Sequence, residues 1–193
     1  MMDKLFFILF GISSLSCVES KEIETGIVEE IVEENPIWWD DCSYNVSDHI
    51  CNLRLATAMD IADELYNYHG EMFVLEVTSM RCSDCQRSSG QNDYIQTRVG
   101  HVRWITIIIE NEAGMTPSAS DGRRWANAFT LSYFYVWLGS RGNIDIHTGK
   151  NGFPYSEYPF YVLVDNDLLI NLVIEGYDKD KIINNITDLK SNL

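Results

Sequence analysis

Basic residues are scarce in this chain: 14 lysines and arginines stand against 29 aspartates and glutamates, a formal net charge of −15. Nucleic-acid backbones are held by basic stripes, and none is visible, so nucleic acid is excluded as a partner. Membrane-spanning length is also lacking. The apolar run Leu5 to Ile12 (LFFILFGI) falls well short of the roughly 20 residues that a spanning helix needs. A second Cys-x-x-Cys is absent, and His49, His69, His101 and His147 have no ligand spacing. Nothing therefore complements Cys82 and Cys85 as a zinc site, and no metal is expected. No internal repeat is found.

What is present suffices for one globular unit, since 193 residues that are 46% hydrophobic lie within single-domain range. The acidity is uneven: residues 18–41 hold nine acids against Lys21 alone, a net −8. Ile23, Ile27, Val28, Ile31 and Val32 offer at most a weak amphipathic turn or two, so this stretch reads as a solvated spacer. Ahead of it, Leu5–Ile12 has the length of a signal-peptide h-region. The run ends in Ser13-Ser14-Leu15-Ser16-Cys17, which resembles a bacterial lipoprotein signal whose cysteine becomes the lipidated first residue. Ser14 stands where such signals usually carry Leu, and Lys4 is offset by Asp3. Residues 1–17 are thus expected to be a signal peptide with Cys17 as lipid anchor, the alternative being ordinary cleavage. An unmatched thiol is a liability in an oxidising compartment. With Cys17 lipidated, the five cysteines resolve into Cys42 with Cys51 and Cys82 with Cys85.

The folded part is expected over 42–193. Residues 55–65 read as a helix or as a loop with a short strand. His69-Gly70 turns into a β-rich run at 72–78; a polar segment at 82–99 is long enough for a helix, and 102–109 (VRWITIII) is strongly β-branched. That succession is a βαβ unit, whose active groups lie at the carboxyl end of the first strand, where Cys82 sits. Further on, 121–129 reads as helix, 133–138 as strand and 139–157 as loop. Residues 160–164 and 168–174 flank a turn at Asp165-Asn166-Asp167, and a last helix starts near Lys179 with Asp178 as its N-cap.

Cys82 and Cys85 at a helix start lie on one turn, close enough for a readily reduced disulfide. Exposed amides there stabilise a thiolate, which makes Cys82 the nucleophile and Cys85 its resolving partner. Arg81 favours the thiolate and Asp84 opposes it, so their sum is not predictable. Cys42 and Cys51, nine residues apart, suit a small loop closed by a structural disulfide, with a second redox relay as the alternative.

The residues FVLEVTSMRCSDC (73–85), WANAFTLSYFYVWL and YPFYVLVDNDLLI resemble the thioredoxin superfamily, specifically its exported TlpA-like or redoxin branch. The likeness spans 42–193, and its most specific element is the CxxC combined with Tyr158-Pro159. It implies an α/β thioredoxin-like fold, a central mixed sheet flanked by helices. It also implies that Pro159 is cis and lies against the cysteine pair, so that Tyr158 offers its main chain to an extended substrate. Without the CxxC, Pro159 would read as a trans residue opening an edge strand. Glu76, six positions before Cys82, occupies the place of a buried acid that exchanges a proton with Cys85; the alternative puts it on the sheet's solvated edge. Arg81 stands where the family often has an aromatic residue.

These features imply a lipid-anchored periplasmic thiol-disulfide oxidoreductase, with the reductant role on protein disulfides that the resemblance implies ahead of the oxidant role, an electron donor and no dissociable cofactor. A thiol peroxidase is the rival enzyme, since Ser79 stands three residues before Cys82, but Leu75 takes the place of the proline expected there. A binding module that uses the fold as a scaffold is the rival from another class, and intact CxxC argues against it.

Overall fold

The structure is a computed structural model that describes residues 41–192. Seven strands form one mixed sheet: β1 Arg54–Thr57, β2 Ala62–Glu64, β3 Phe73–Thr78, β4 Arg103–Ile108, β5 Val136–Leu138, β6 Phe160–Val164 and β7 Ile170–Glu175. Their order is β2-β1-β5-β4-β3-β6-β7. Strands β3, β4 and β5 run parallel, while β6 pairs antiparallel with β3, β7 with β6, and β1 with both β2 and β5. Among the described residues four α-helices accompany them: α1 Ser83–Ser89, α2 Asn92–Val99, α3 Ala119–Phe129 and α4 Lys179–Asn192.

The crossovers from β3 to β4 and from β4 to β5 step the same way across the sheet. Right-handed connections of that kind put their helices on one face. The burial pattern agrees. Val74, Trp104, Tyr161 and Leu163 pack with Ile95 and Val99 of α2 and Ile182 and Ile186 of α4. Ile108 and Val136 pack with Cys85 of α1 and Trp125 and Ala126 of α3. The alternate residues Phe73, Leu75, Val77, Ile105, Ile107, Phe160 and Val162 face the other way, as the two-residue period of a strand requires. Among the described residues, no α-helix covers that second face. It is closed by Tyr44, Ile50, Leu53, Leu65, Tyr68 and Phe153, drawn from the segment before β1, the short 3-10 turn after β2 and the long β5–β6 loop. The Cys42–Cys51 disulfide ties the first of these segments together.

Three local expectations need correction. Residues 55–65, read as a helix or as a loop with a short strand, are not helical: they hold two short strands joined by a turn, the antiparallel hairpin β1–β2. The helix expected over 82–99 is two helices separated at Gly90-Gln91, where Ser88, Ser89 and Gly90 are weak helix formers in succession. Only 136–138 of the run 133–138 is strand; Tyr133–Tyr135 form a 3-10 turn. The β6–β7 turn and the last helix stand as expected, with Asp178 Oδ1 accepting the Lys181 N–H at 3.0 Å.

Helix α3 starts two residues earlier than expected because Ser118 and Asp121 cap each other's backbone. It docks through Gly122, where a β-carbon would lie 2.7 Å from Leu138 Cδ2 and 3.0 Å from Ala58 Cβ. Glycine to alanine inside a helix ordinarily gains roughly 0.5–1 kcal/mol. Here overpacking at a cost of about 1–3 kcal/mol outweighs that gain. Gly122→Ala is expected to lower the urea midpoint without changing helix content by circular dichroism; a raised midpoint would mean that α3 is not seated this closely.

Candidate redox site

The carboxyl ends of the parallel strands and the start of antiparallel β6 meet at one side of the sheet, and the cysteines lie there. Cys82 is the N-cap of α1, and its Sγ accepts the Cys85 backbone N–H at 3.0 Å. Cys85 is fully buried against Met80, Ile108, Trp125 and Ala126, whereas Cys82 is partly open. The two sulfurs are joined, with Cα atoms 5.1 Å apart. The Tyr158–Pro159 peptide bond is cis, and the Tyr158 carbonyl oxygen lies 3.3 Å from Cys82 Sγ. Residues far apart in the chain thus converge on the outer sulfur.

Arg81 is exposed, with its guanidinium over Gly114, where a β-carbon would come within 2.7 Å of Nη1. Gly114 also has a φ of +77°, so the position suits glycine twice over. Asp84, which was expected to oppose the thiolate, forms an ion pair with Arg87, and its opposition is reduced accordingly.

Glu76 is fully buried, not on a solvated edge. Its Oε1 accepts from Ser88 Oγ at 2.7 Å and Ser89 Oγ at 3.5 Å, and its Oε2 from Trp104 Nε1 at 3.0 Å and Thr106 Oγ1 at 3.3 Å. Burial pushes its carboxyl pKa up, and the four donors only partly oppose the shift. None of its hydrogen bonds goes to a cysteine. It reaches α1 one turn beyond Cys85, through Ser88 and Ser89, which share a helix face with Cys85.

Sequence reasoning missed a second buried acid. Glu110, just past β4, accepts from Ser79 Oγ at 2.7 Å and from Arg141 Nε at 2.9 Å. Burial acts to raise its carboxyl, but the Arg141 and Ser79 hydrogen bonds and the charges of Arg141 and Arg81 hold it below its ordinary value. Ser79 Oγ in turn accepts the Arg81 backbone N–H at 3.2 Å. The available signal was positional: Ser79, Glu110 and Arg141 each follow a parallel strand, and such ends gather at sites. The expected anchor Cys17 and the spacer lie outside the described residues, apart from Asp41.

No protein-family model and no curated protein matches the sequence. Solved structures do. A protein assigned as the thiol:disulfide interchange protein DsbE of Chlorobium tepidum superposes with a TM-score of 0.58 at 13% identity, over 77% of this chain and 98% of the other. The exposed lipoprotein thioredoxin of Streptococcus pneumoniae gives 0.52 at 20% identity, over 72% and 99%. The fold is thioredoxin-like. A thiol peroxidase from Chromobacterium violaceum shares it, at 0.55 and 14% identity over 77% and 89%. The thioredoxin-like fold is therefore common to exchange proteins and peroxidases, and chemistry has to be argued from the residues.

The buried Glu76 yields a stability test. Below the ordinary carboxyl value of 4.5, folded and unfolded chains both hold the proton. Above it, the unfolded chain releases the proton while the folded one keeps it, so Glu76 subtracts more stability as pH rises, until its raised folded pKa is passed. Glu76→Gln removes that dependence. Urea midpoints at pH 4, 6 and 8 should show the variant gaining on the wild type as pH increases; a constant gap would mean that Glu76 titrates like an exposed acid.

Proposed function

We propose that the chain is an exported thiol-disulfide oxidoreductase that reduces protein disulfides, with Cys82 as nucleophile and Cys85 as resolving thiol. One observation carries the reading: the partly open Cys82 sulfur sits between the Cys85 amide in the first turn of α1 and the carbonyl next to the cis bond, beside a buried Cys85. The Cys82 thiolate attacks one sulfur of a client disulfide, forming a mixed disulfide as the client S–S bond breaks and its other sulfur leaves as thiolate. The Cys85 thiolate then attacks Cys82 Sγ, closing the Cys82–Cys85 bond and releasing the second client sulfur. Two electrons pass to the client, and a separate dithiol donor restores the pair. No dissociable cofactor takes part.

Tyr158 and Pro159 border the groove in which an extended client segment pairs with the main chain, and Arg81 favours the Cys82 thiolate. Glu76, whose carboxyl burial shifts towards the protonated form, exchanges a proton with Cys85 and acts through the α1 hydroxyls rather than by direct contact. Cys42 and Cys51 have a structural role, fastening the segment that covers the helix-free face. The peroxidase reading is weaker, because the Ser79 hydroxyl donates to Glu110 and Leu75 replaces the expected proline.

Cys85→Ser is expected to accumulate mixed disulfides with clients on non-reducing gels, because attack proceeds and resolution does not, and Cys82→Ser to accumulate none. Equal behaviour of the two variants would favour the scaffold reading.

Residues 1–17 serve as signal peptide and Cys17 as lipid anchor in this proposal, with 18–41 as spacer and 42–193 as the domain held in the periplasm. The likeness to an exposed lipoprotein thioredoxin supports export. The spacer's net −8 is repelled by an anionic membrane surface, which leaves the acyl chains as anchor, at about 0.8 kcal/mol per buried methylene. Cys17→Ser should move the protein to the soluble fraction with its reductase activity intact; retention in membranes would overturn the lipid anchor.

A further inference from the structure

The polar residues that follow the three parallel strands form one connected group beside Cys82. Arg141, in the turn after β5, donates through Nε and Nη2 to Glu110 Oε2 at 2.9 and 2.5 Å. Glu110 Oε1 accepts from Ser79, whose hydroxyl also accepts the Arg81 N–H. The Cys82 N–H in turn donates to the Ser79 carbonyl at 3.2 Å. Glu110 is buried, but the Arg141 side chain is 70% exposed, and its Nη1 makes no hydrogen bond among the described residues. The Arg81 guanidinium is likewise exposed, with no ion pair there.

We infer, building on the oxidoreductase reading, that Arg81 and Arg141 form a cationic rim that selects client segments with carboxylates beside their disulfide. Two guanidiniums share one buried carboxylate, so the rim has a net charge of +1. The chain as a whole is at −15, of which −8 lies in residues 18–41. Asp84 is engaged by Arg87 and Glu110 by Arg141, while Arg124 is shared by Glu112 and Asp121; Glu157, beside Tyr158, is exposed and makes no ion pair among the described residues, and the rim acts against its charge. The Tyr158 phenol is raised by burial and by Glu110, while Arg141 acts to lower it. That coupling places Arg141 within electrostatic range of the residue whose carbonyl touches Cys82. A carboxylate one or two residues from a docked client sulfur would meet the free edges of both guanidiniums, whereas a lysine there would be repelled.

The rival account makes Arg141 a latch that merely holds the β5–β6 loop to the active-site turn through Glu110. Single-turnover oxidation of the reduced full chain by three peptide disulfides, with Glu, Gln or Lys flanking the cysteines, separates the two. Glu peptides are expected to react about threefold faster than Gln peptides at low ionic strength, the combined size of two exposed ion contacts, and Lys peptides slower still. The preference should fade in about 0.5 M salt, where screening shortens the range of charge to a few ångströms. Arg81→Gln with Arg141→Gln should bring the Glu-to-Gln ratio towards one, and Arg141→Lys should preserve it. Equal rates for Glu and Gln peptides in the wild type, or a Glu-to-Gln ratio left unchanged in the double variant, would overturn the rim and leave the oxidoreductase standing. If no peptide oxidises the reduced pair, the oxidoreductase reading falls and the rim with it.

Discussion

The position of β3 between a parallel and an antiparallel neighbour is the constraint on which the site depends. Because β4 and β5 run the same way as β3, the segments after all three strands emerge on one side of the sheet. Because β6 runs the opposite way, its first residues arrive on that same side. The Cys82–Cys85 turn, Glu110, Arg141 and the cis peptide before Pro159 are therefore neighbours without being close in sequence. Both crossovers also fall on one face, so that α1 rests on a sheet surface which carries Glu76 and the other is left to irregular chain.

The molecule buries two carboxylates near this side and sends them in opposite directions. Glu76 receives only neutral donors, two serines, a threonine and an indole, and these do not offset the loss of water around a charge. Glu110 is buried almost as well but faces a guanidinium, and a charge-assisted pair favours its ionised form. One carboxyl is thereby shifted towards its neutral form and the other towards its charged form, each in contact with the segment that carries the cysteines: Glu76 through Ser88 and Ser89, Glu110 through Ser79. The covering of the second face is also paired chemistry, since Phe153 from the β5–β6 loop stacks edge-on with Tyr44 at 4.7 Å and with Phe160 at 5.6 Å. Large aromatic rings supply there the area that a helix would otherwise supply.

Local chemistry by itself determined a good deal: the β-branched runs of β3 and β4, the turn at Asp165-Asn166-Asp167, the α4 start at Asp178, and a cysteine pair at a helix start. Each is set by neighbours within a few residues, through side-chain alternation, capping or the reach of a disulfide. Tertiary structure decided the rest. The 55–65 block became a hairpin because β5 offered β1 an edge to pair with, a partner some 80 positions away in the chain. The ionisation of Glu76 and Glu110 could not be read from their strands, because both sit in apolar β-rich runs and differ only in what the fold brings opposite them. Arg141 lay in a loop with no motif at all, and only the parallel alignment of three strand ends, a property of the whole sheet, carries it to Glu110 and, through Ser79, to the segment before Cys82.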